Sequence, residues 1–212
     1  MNDILNTIKE AVINRKRKEI EGLVDDAIEA GIEPGLIINK GLIEAMDVVG
    51  EQFSADDIFV PEMLASALAM KLGLAKIKPF LKSGDQPSMG TVLMGTVRGD
   101  MHDIGKNIVN MMLEGAGFTV VDLGVDLTVE NLMEEIENLK PDILGLSALL
   151  TITLPEMERA VREIGDKGLR KNMKIMVGGA PVRKAFAEEI GADGHGADAV
   201  EAVDLAKRLI GK

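Results

Sequence analysis

GDMHDIGKN, Gly99 to Asn107, separates the apolar run TVLMGTV (Thr91–Val97) from IVNMML (Ile108–Leu113). The first run has the length of a strand and the second begins a helical pattern, so the nine residues mark a strand-to-helix turn. They hold one of only two histidines, His102, between Asp100 and Asp103, in a chain with no cysteine, tryptophan or tyrosine. Aspartates that cap a helix beside an incidental histidine also account for such a turn. The surrounding sequence decides between the two readings.

Downstream the pattern repeats. FTVVDLG (Phe118–Gly124), DILGLSA (Asp142–Ala148) and KIMVGG (Lys174–Gly179) are short apolar runs of the kind buried on both faces of a sheet. Helical patterns alternate with them at Asp103–Glu114, Val129–Leu139, Leu154–Ile164, Val182–Ile190 and Ala197–Leu209. Alternation of this kind predicts an α/β domain with a parallel sheet and right-handed crossovers. A short fifth strand near Ala192–Gly194 gives a flavodoxin-like, Rossmann-like order. GDMHDIG follows strand one, SALLT strand three and GGAP strand four, so all three loops fall on the carboxyl edge, where such sheets bind ligands.

Upstream the period is helical. Ile20, Leu23, Val24, Ala27 and Ile28 form one stripe, and Met63, Leu64, Ala67, Leu68 and Leu72 another. Gly31 suits a helix C-terminus and Pro34 the first turn of the next helix. Four helices are expected near 3–13, 16–30, 34–50 and 60–81, closing as a four-helix bundle. LKSGDQPSMG (Leu81–Gly90) breaks the pattern with Gly, Pro and Ser. The expected division is a helical domain over 1–82, a linker over 83–90 and an α/β domain over 91–212.

Composition narrows the function. A hydrophobic fraction of 46% supports a packed core, and a net charge of −11 argues against nucleic acid. The basic run Arg15–Lys18 reads as a solvated face. No apolar run reaches the roughly 18 residues of a membrane span, and MNDILNTIKE has no signal-peptide character. Without cysteine there is no thiolate site, which fits the cytoplasm. A phosphate loop is disfavoured, because Gly99 and Gly105-Lys106 are misspaced and two aspartates repel phosphate. A divalent ion on Asp100, His102 and Asp103 stays open, although it lacks a fourth ligand nearby.

Asp100-x-His102-x-x-Gly105, followed by Ser147-x-Leu149 and Gly178-Gly179, resembles the signature of cobalamin-binding domains, in the group that includes cobalamin-dependent methionine synthase. The agreement extends through DMHDIGKNIV and SALLTITLPEM. GEQFSADDIFVPEMLASALAMK (Gly50–Lys71) is similar to the last helices of the helical cap that precedes this domain in methyl-carrying corrinoid proteins.

The resemblance implies a base-off corrinoid with His102 as the lower axial ligand to cobalt. Cobalt in a methyl carrier alternates between states that accept and reject that ligand, and imidazole is a neutral donor able to leave. Asp100 then holds the other ring nitrogen, and Thr153 continues the relay where relatives carry serine. Asp103, Gly105, Gly178 and Gly179 join the cofactor-binding set, the glycines leaving room for the nucleotide tail. Ser147 and Thr151 are placed to hydrogen-bond the tail and Leu149 to border its slot. Phe53, Val60 and Met63 match the cap residues over the upper corrin face. His195 replaces a family tyrosine and reads as a surface residue, with a contact to a corrin amide as the alternative.

The implied function is methyl transfer in one-carbon metabolism. A substrate-specific methyltransferase loads the carrier from a methylamine, betaine, methanol or methoxyaromatic donor. A second methyltransferase unloads it to tetrahydrofolate or a thiol, and a reductive activator rescues oxidised cobalt. A cobalamin-dependent sensor and the small subunit of a radical mutase are the competing readings. The first lacks a visible DNA-binding pattern here, and the second would leave the cap residues without use.

Overall fold

The computed structural model describes residues 2–81 and 88–211, so the linker expected at 83–90 lies mostly outside the described residues. The chain forms two compact units, one up to Ser88 and one from Met89, with Glu114–Gly117 belonging to the first.

The helical unit begins with α1 (Asn2–Ile13) and α2 (Arg17–Glu29). Gly31, at φ 74, ends α2: its N–H reaches Ile28 O and the Ile32 N–H reaches Ala27 O, satisfying the last carbonyls. Pro34 starts the next helix as expected. That helix is not one regular element over 34–50. It runs as α3 (Pro34–Leu36), a π-helical stretch (Ile37–Ile43) and α4 (Glu44–Ser54). Gly41 lies in the π-helical stretch, where a Cβ would stand 2.9 Å from Ile8 of α1. Close packing on α1 accompanies the widened turn, which no periodicity announces. Gly50 is buried inside α4 rather than ending it. α5 (Val60–Ile77) and a 3-10 turn (Lys78–Phe80) complete the set. Ile8, Ile20, Ile37, Leu42, Met70 and Ile77 form its enclosed core, whereas Leu68, expected in the stripe, is 37% exposed.

The α/β unit is a five-stranded parallel sheet in the order β2-β1-β3-β4-β5. Its strands are β1 (Thr91–Thr96), β2 (Thr119–Asp122), β3 (Ile143–Ser147), β4 (Lys174–Gly178) and β5 (Gly194–Gly196). The intervening helices are α6 (Ile104–Gly115), α7 (Val129–Leu139), α8 (Leu154–Asp166) and α9 (Lys184–Glu189), and α10 (Ala199–Leu209) follows β5. Chain order reverses between β1 and β3, the switch point at which flavodoxin-like sheets place their ligands.

β5 lies two residues beyond its expected position. Asp193 is used as a pin instead: its carboxylate accepts the Ile175 N–H at 2.8 Å and pairs with Arg170 and Lys174. Strand pairing therefore starts only at Gly194. Burial pushes the Asp193 carboxyl up, but the Ile175 N–H, Arg170 and Lys174 together hold it below its ordinary value. A depressed carboxylate stabilises the fold fully above its unfolded pKa of about 3.9 and stops doing so as pH falls through the folded value. Asp193→Asn is thus expected to shrink the difference in Tm between neutral pH and about pH 3. An unchanged difference would discount the pin.

Register lines up side chains across the sheet. Thr96 pairs with Ser147, Ser147 with Gly178 and Gly178 with Gly196, making one row of small residues at the carboxyl ends of four strands. A Cβ on Gly194 or Gly196 would meet Leu205 or Ala202, so this row faces α10. The opposite face carries the larger apolar layer: Leu93, Leu144, Leu146, Ile175 and Val177 pack with Leu132, Met157, Val161 and Ala187 of α7, α8 and α9.

Candidate functional site

The loops after β1 and β3 meet at the switch point. Asp100 is fully buried there, a position that a carboxylate occupies only when its oxygens are satisfied. Oδ1 accepts the His102 N–H at 3.1 Å and contacts His102 Nδ1 at 2.7 Å. Oδ2 accepts the Leu149 N–H at 2.7 Å, the Leu150 N–H at 3.1 Å and the Thr153 hydroxyl at 3.0 Å. That hydroxyl has a second acceptor, Leu150 O, at 2.8 Å. Burial opposes ionisation, yet the Leu149 N–H, the His102 ring, and the His102 and Leu150 N–H groups hold Asp100 far below the usual carboxylate range.

An ionised Asp100 fixes the tautomer of its neighbour. A carboxylate only accepts, so the proton of a neutral His102 ring sits on Nδ1 and the lone pair on Nε2. Among the described residues Nε2 has no hydrogen-bond partner, and the side chain is 50% exposed. The main chain is held as well, since His102 O accepts the Thr96 hydroxyl at 2.9 Å.

α6 starts directly after this loop. Asp103 accepts the Asn107 N–H through its carbonyl at 2.8 Å and the Asn107 amide through Oδ2 at 3.1 Å. Lys106 is buried in the first turn, and its ammonium is clasped by both Asp122 oxygens at 2.6 Å, with Asn107 Oδ1 at 3.0 Å. Neither Lys106 nor Asp122 was anticipated from the sequence. Their separation leaves no local pattern, and DLGVD (Asp122–Asp126) reads as an ordinary strand end.

The expected glycines divide into two kinds. A Cβ on Gly105 would meet nothing within 4 Å, so space is open there. At Gly179, φ is 125° and a Cβ would lie 1.9 Å from Ala148 O; at Gly178 it would lie 3.0 Å from Gly196 O. Gly178 and Gly179 are therefore required by the sheet's own backbone, a reason different from clearance for a tail.

Around His102 the surface is apolar. Met101, Ile104 and Ile152 are 68%, 77% and 80% exposed, and Leu149 and Leu150 are also uncovered. Thr151 is exposed beside them, and Ser147 is half-buried in the small row. His195 lies on β5 opposite Val177, on the face away from that row. It is part-buried, and its Nε2 is enclosed without a hydrogen-bond partner among the described residues. In the helical unit Phe53 is half-buried, Val60 is 37% exposed and Met63 is fully enclosed.

A ring nitrogen kept free of protein partners, set in apolar surface and flanked by an open glycine, suits an axial ligand under a flat macrocycle. It does not suit an ion in a protein cage: among the described residues no three metal-binding side chains gather. These features make the carboxyl edge of the sheet the candidate site for a metal macrocycle. The chain belongs to the B12 binding domain family, which matches residues 90–204, with a second B12 binding domain family matching residues 4–78. Dimethylamine corrinoid protein 1 of Methanosarcina acetivorans is 40% identical over 209 residues, 98% of each chain. A cobalamin-binding protein of Desulfitobacterium hafniense superposes with a TM-score of 0.82 at 30% identity over 98% of each chain. A chain of the methanol:cobalamin methyltransferase complex of Methanosarcina barkeri gives 0.88 at 30% identity, covering 100% of this chain and 81% of that one. The cofactor is a corrinoid, cobalamin or a close relative. No helix among the described residues is long and apolar enough to cross a membrane.

Proposed function

We propose that the protein is a methyl carrier of the cytoplasm, accepting a methyl group from a substrate-specific methyltransferase and delivering it to a second one that serves tetrahydrofolate or a thiol. A reductive activator completes the system. Relatives named for dimethylamine and for methanol favour a small methylated amine or alcohol as donor. The observation that carries this reading is the divided imidazole, Nδ1 bound to Asp100 and Nε2 free.

The bound corrinoid supplies a cobalt that takes up and releases the methyl group. The protein's residues hold, orient and shield it. His102 would hold the cobalt through Nε2, with Asp100 setting the ring's tautomer and basicity. Thr153 can turn its one proton from Asp100 to Leu150 O, changing the support that the carboxylate receives. Met101, Ile104, Leu149 and Ile152 give apolar support to the corrin's lower face. Gly105 leaves room for the nucleotide tail and Ser147 borders it, with Gly178 and Gly179 shaping the backbone beside it, Thr151 as a polar contact and Asp103 ordering the loop. Phe53 and Val60 serve the upper face, and Met63 joins them on the resemblance alone. Residues 1–82 act as the cap and 83–90 as its linker.

The test is the EPR spectrum of the Co(II) form in protein carrying nitrogen-15 histidine. A doublet splitting lost in His102→Ala and kept in His195→Ala is expected. A spectrum insensitive to the label overturns His102 as the ligand.

A further inference from the structure

We infer that Asp126, in the loop after β2, is a positioning residue for the lower ligand, an inference that rests on His102 reaching cobalt. Asp100 is held at both ends. Its carboxylate is fixed by the β3 loop, whereas its main chain is fixed by Asp126. The Asp126 N–H donates to Asp100 O at 3.1 Å, and Asp126 Oδ1 accepts the Gly99 N–H at 2.7 Å. One residue thus binds the peptide units on both sides of the Gly99–Asp100 pair.

The backbone of Asp126 shows what this grip requires. Its φ is +56°, in the left-handed region that costs a non-glycine residue about 1 kcal/mol. That conformation turns both its N–H and its carboxylate toward the β1 loop. The adjoining residues extend the contact: Thr96 N–H donates to Gly124 O at 3.0 Å, and Leu127 N–H to Thr96 O at 3.1 Å. Thr96 in turn bonds His102 O. The β2 loop is itself anchored, because Asp122 clasps the buried Lys106 and accepts the Gly124 N–H at 2.8 Å. Without the Asp126 carboxylate, the Arg98–Gly99 peptide loses its tether while the Asp100 side chain stays fixed. The imidazole then spends less of its time where cobalt needs it.

The left-handed φ dictates the variants. Asp126→Gly removes the carboxylate without strain, and Asp126→Asn keeps an acceptor oxygen in a residue that tolerates this conformation. The full chain reconstituted with Co(II) cobalamin is compared by EPR, and the Gly99 amide exchange is measured in the cofactor-free protein. In Asp126→Gly the ratio of histidine-ligated to unligated cobalt is expected to fall about tenfold and Gly99 exchange to accelerate, with Asp126→Asn restoring both. A nitrogen doublet undiminished in Asp126→Gly overturns this inference alone. Equal loss in both variants also overturns it, since charge rather than the hydrogen bond would then be acting. If the unsubstituted protein shows no histidine coupling, the ligand assignment falls and takes this inference with it.

Discussion

Gly179→Ala is expected to be among the most damaging single substitutions in the α/β unit. The residue sits at φ 125°, and an added Cβ would overlap Ala148 O at 1.9 Å, a backbone atom with nowhere to retreat. Strain and overlap together should cost about 3 kcal/mol or more. Gly105→Ala should behave in the opposite way. It lies within α6 with no atom within 4 Å of the added methyl, so alanine should stabilise the cofactor-free protein by up to about 1 kcal/mol. Its corrinoid retention should nevertheless fall, because the methyl enters the open space that we propose for the tail. Urea unfolding of both variants without cofactor, followed by gel filtration with cobalamin, separates the two effects. A Gly105→Ala variant that retains cobalamin fully would remove Gly105 from the tail-binding set.

The second large effect is asymmetric. Asp122→Ala leaves the Lys106 ammonium enclosed, its side chain 1% exposed, with Asn107 Oδ1 as its remaining partner. Removing one member of such a pair should cost about 3 kcal/mol. Lys106→Met replaces the buried cation with an apolar chain of similar length. The abandoned Asp122 is 40% exposed and keeps the Gly124 N–H, so the cost should be about 1 kcal/mol or less. Urea midpoints that fall equally in the two variants would mean that the pair acts through attraction alone rather than through the cost of an unpaired buried charge.

What the sequence disclosed follows from the range of each interaction. β1, β3 and β4 are apolar on both faces, so their runs stand out, and alternation with helices leads to the sheet order. β5 is Gly-His-Gly and carries no apolar run; its place depends on Asp193 reaching Ile175 across the sheet. The π-helical stretch at Ile37–Ile43 leaves no periodicity to read. At the site, Asp100 and His102 are legible because their contact spans two residues. Thr153 came only through the resemblance, since a 3-10 turn (Thr151–Thr153) swings it back beneath Asp100. Lys106, Asp122 and Asp126 stayed hidden because each works across elements distant in the chain. The face that His195 takes was likewise not legible, because the register opposite Val177, not its neighbours in sequence, decides it.

The division of labour between the two Asp100 oxygens has a kinematic consequence. The imidazole turns only about its Cα–Cβ and Cβ–Cγ bonds, and a contact from Nδ1 to a fixed carboxylate restrains both rotations at once. Nε2 is thereby confined to a small region, so the ring has little rotational entropy left to lose when that nitrogen takes up a further bond.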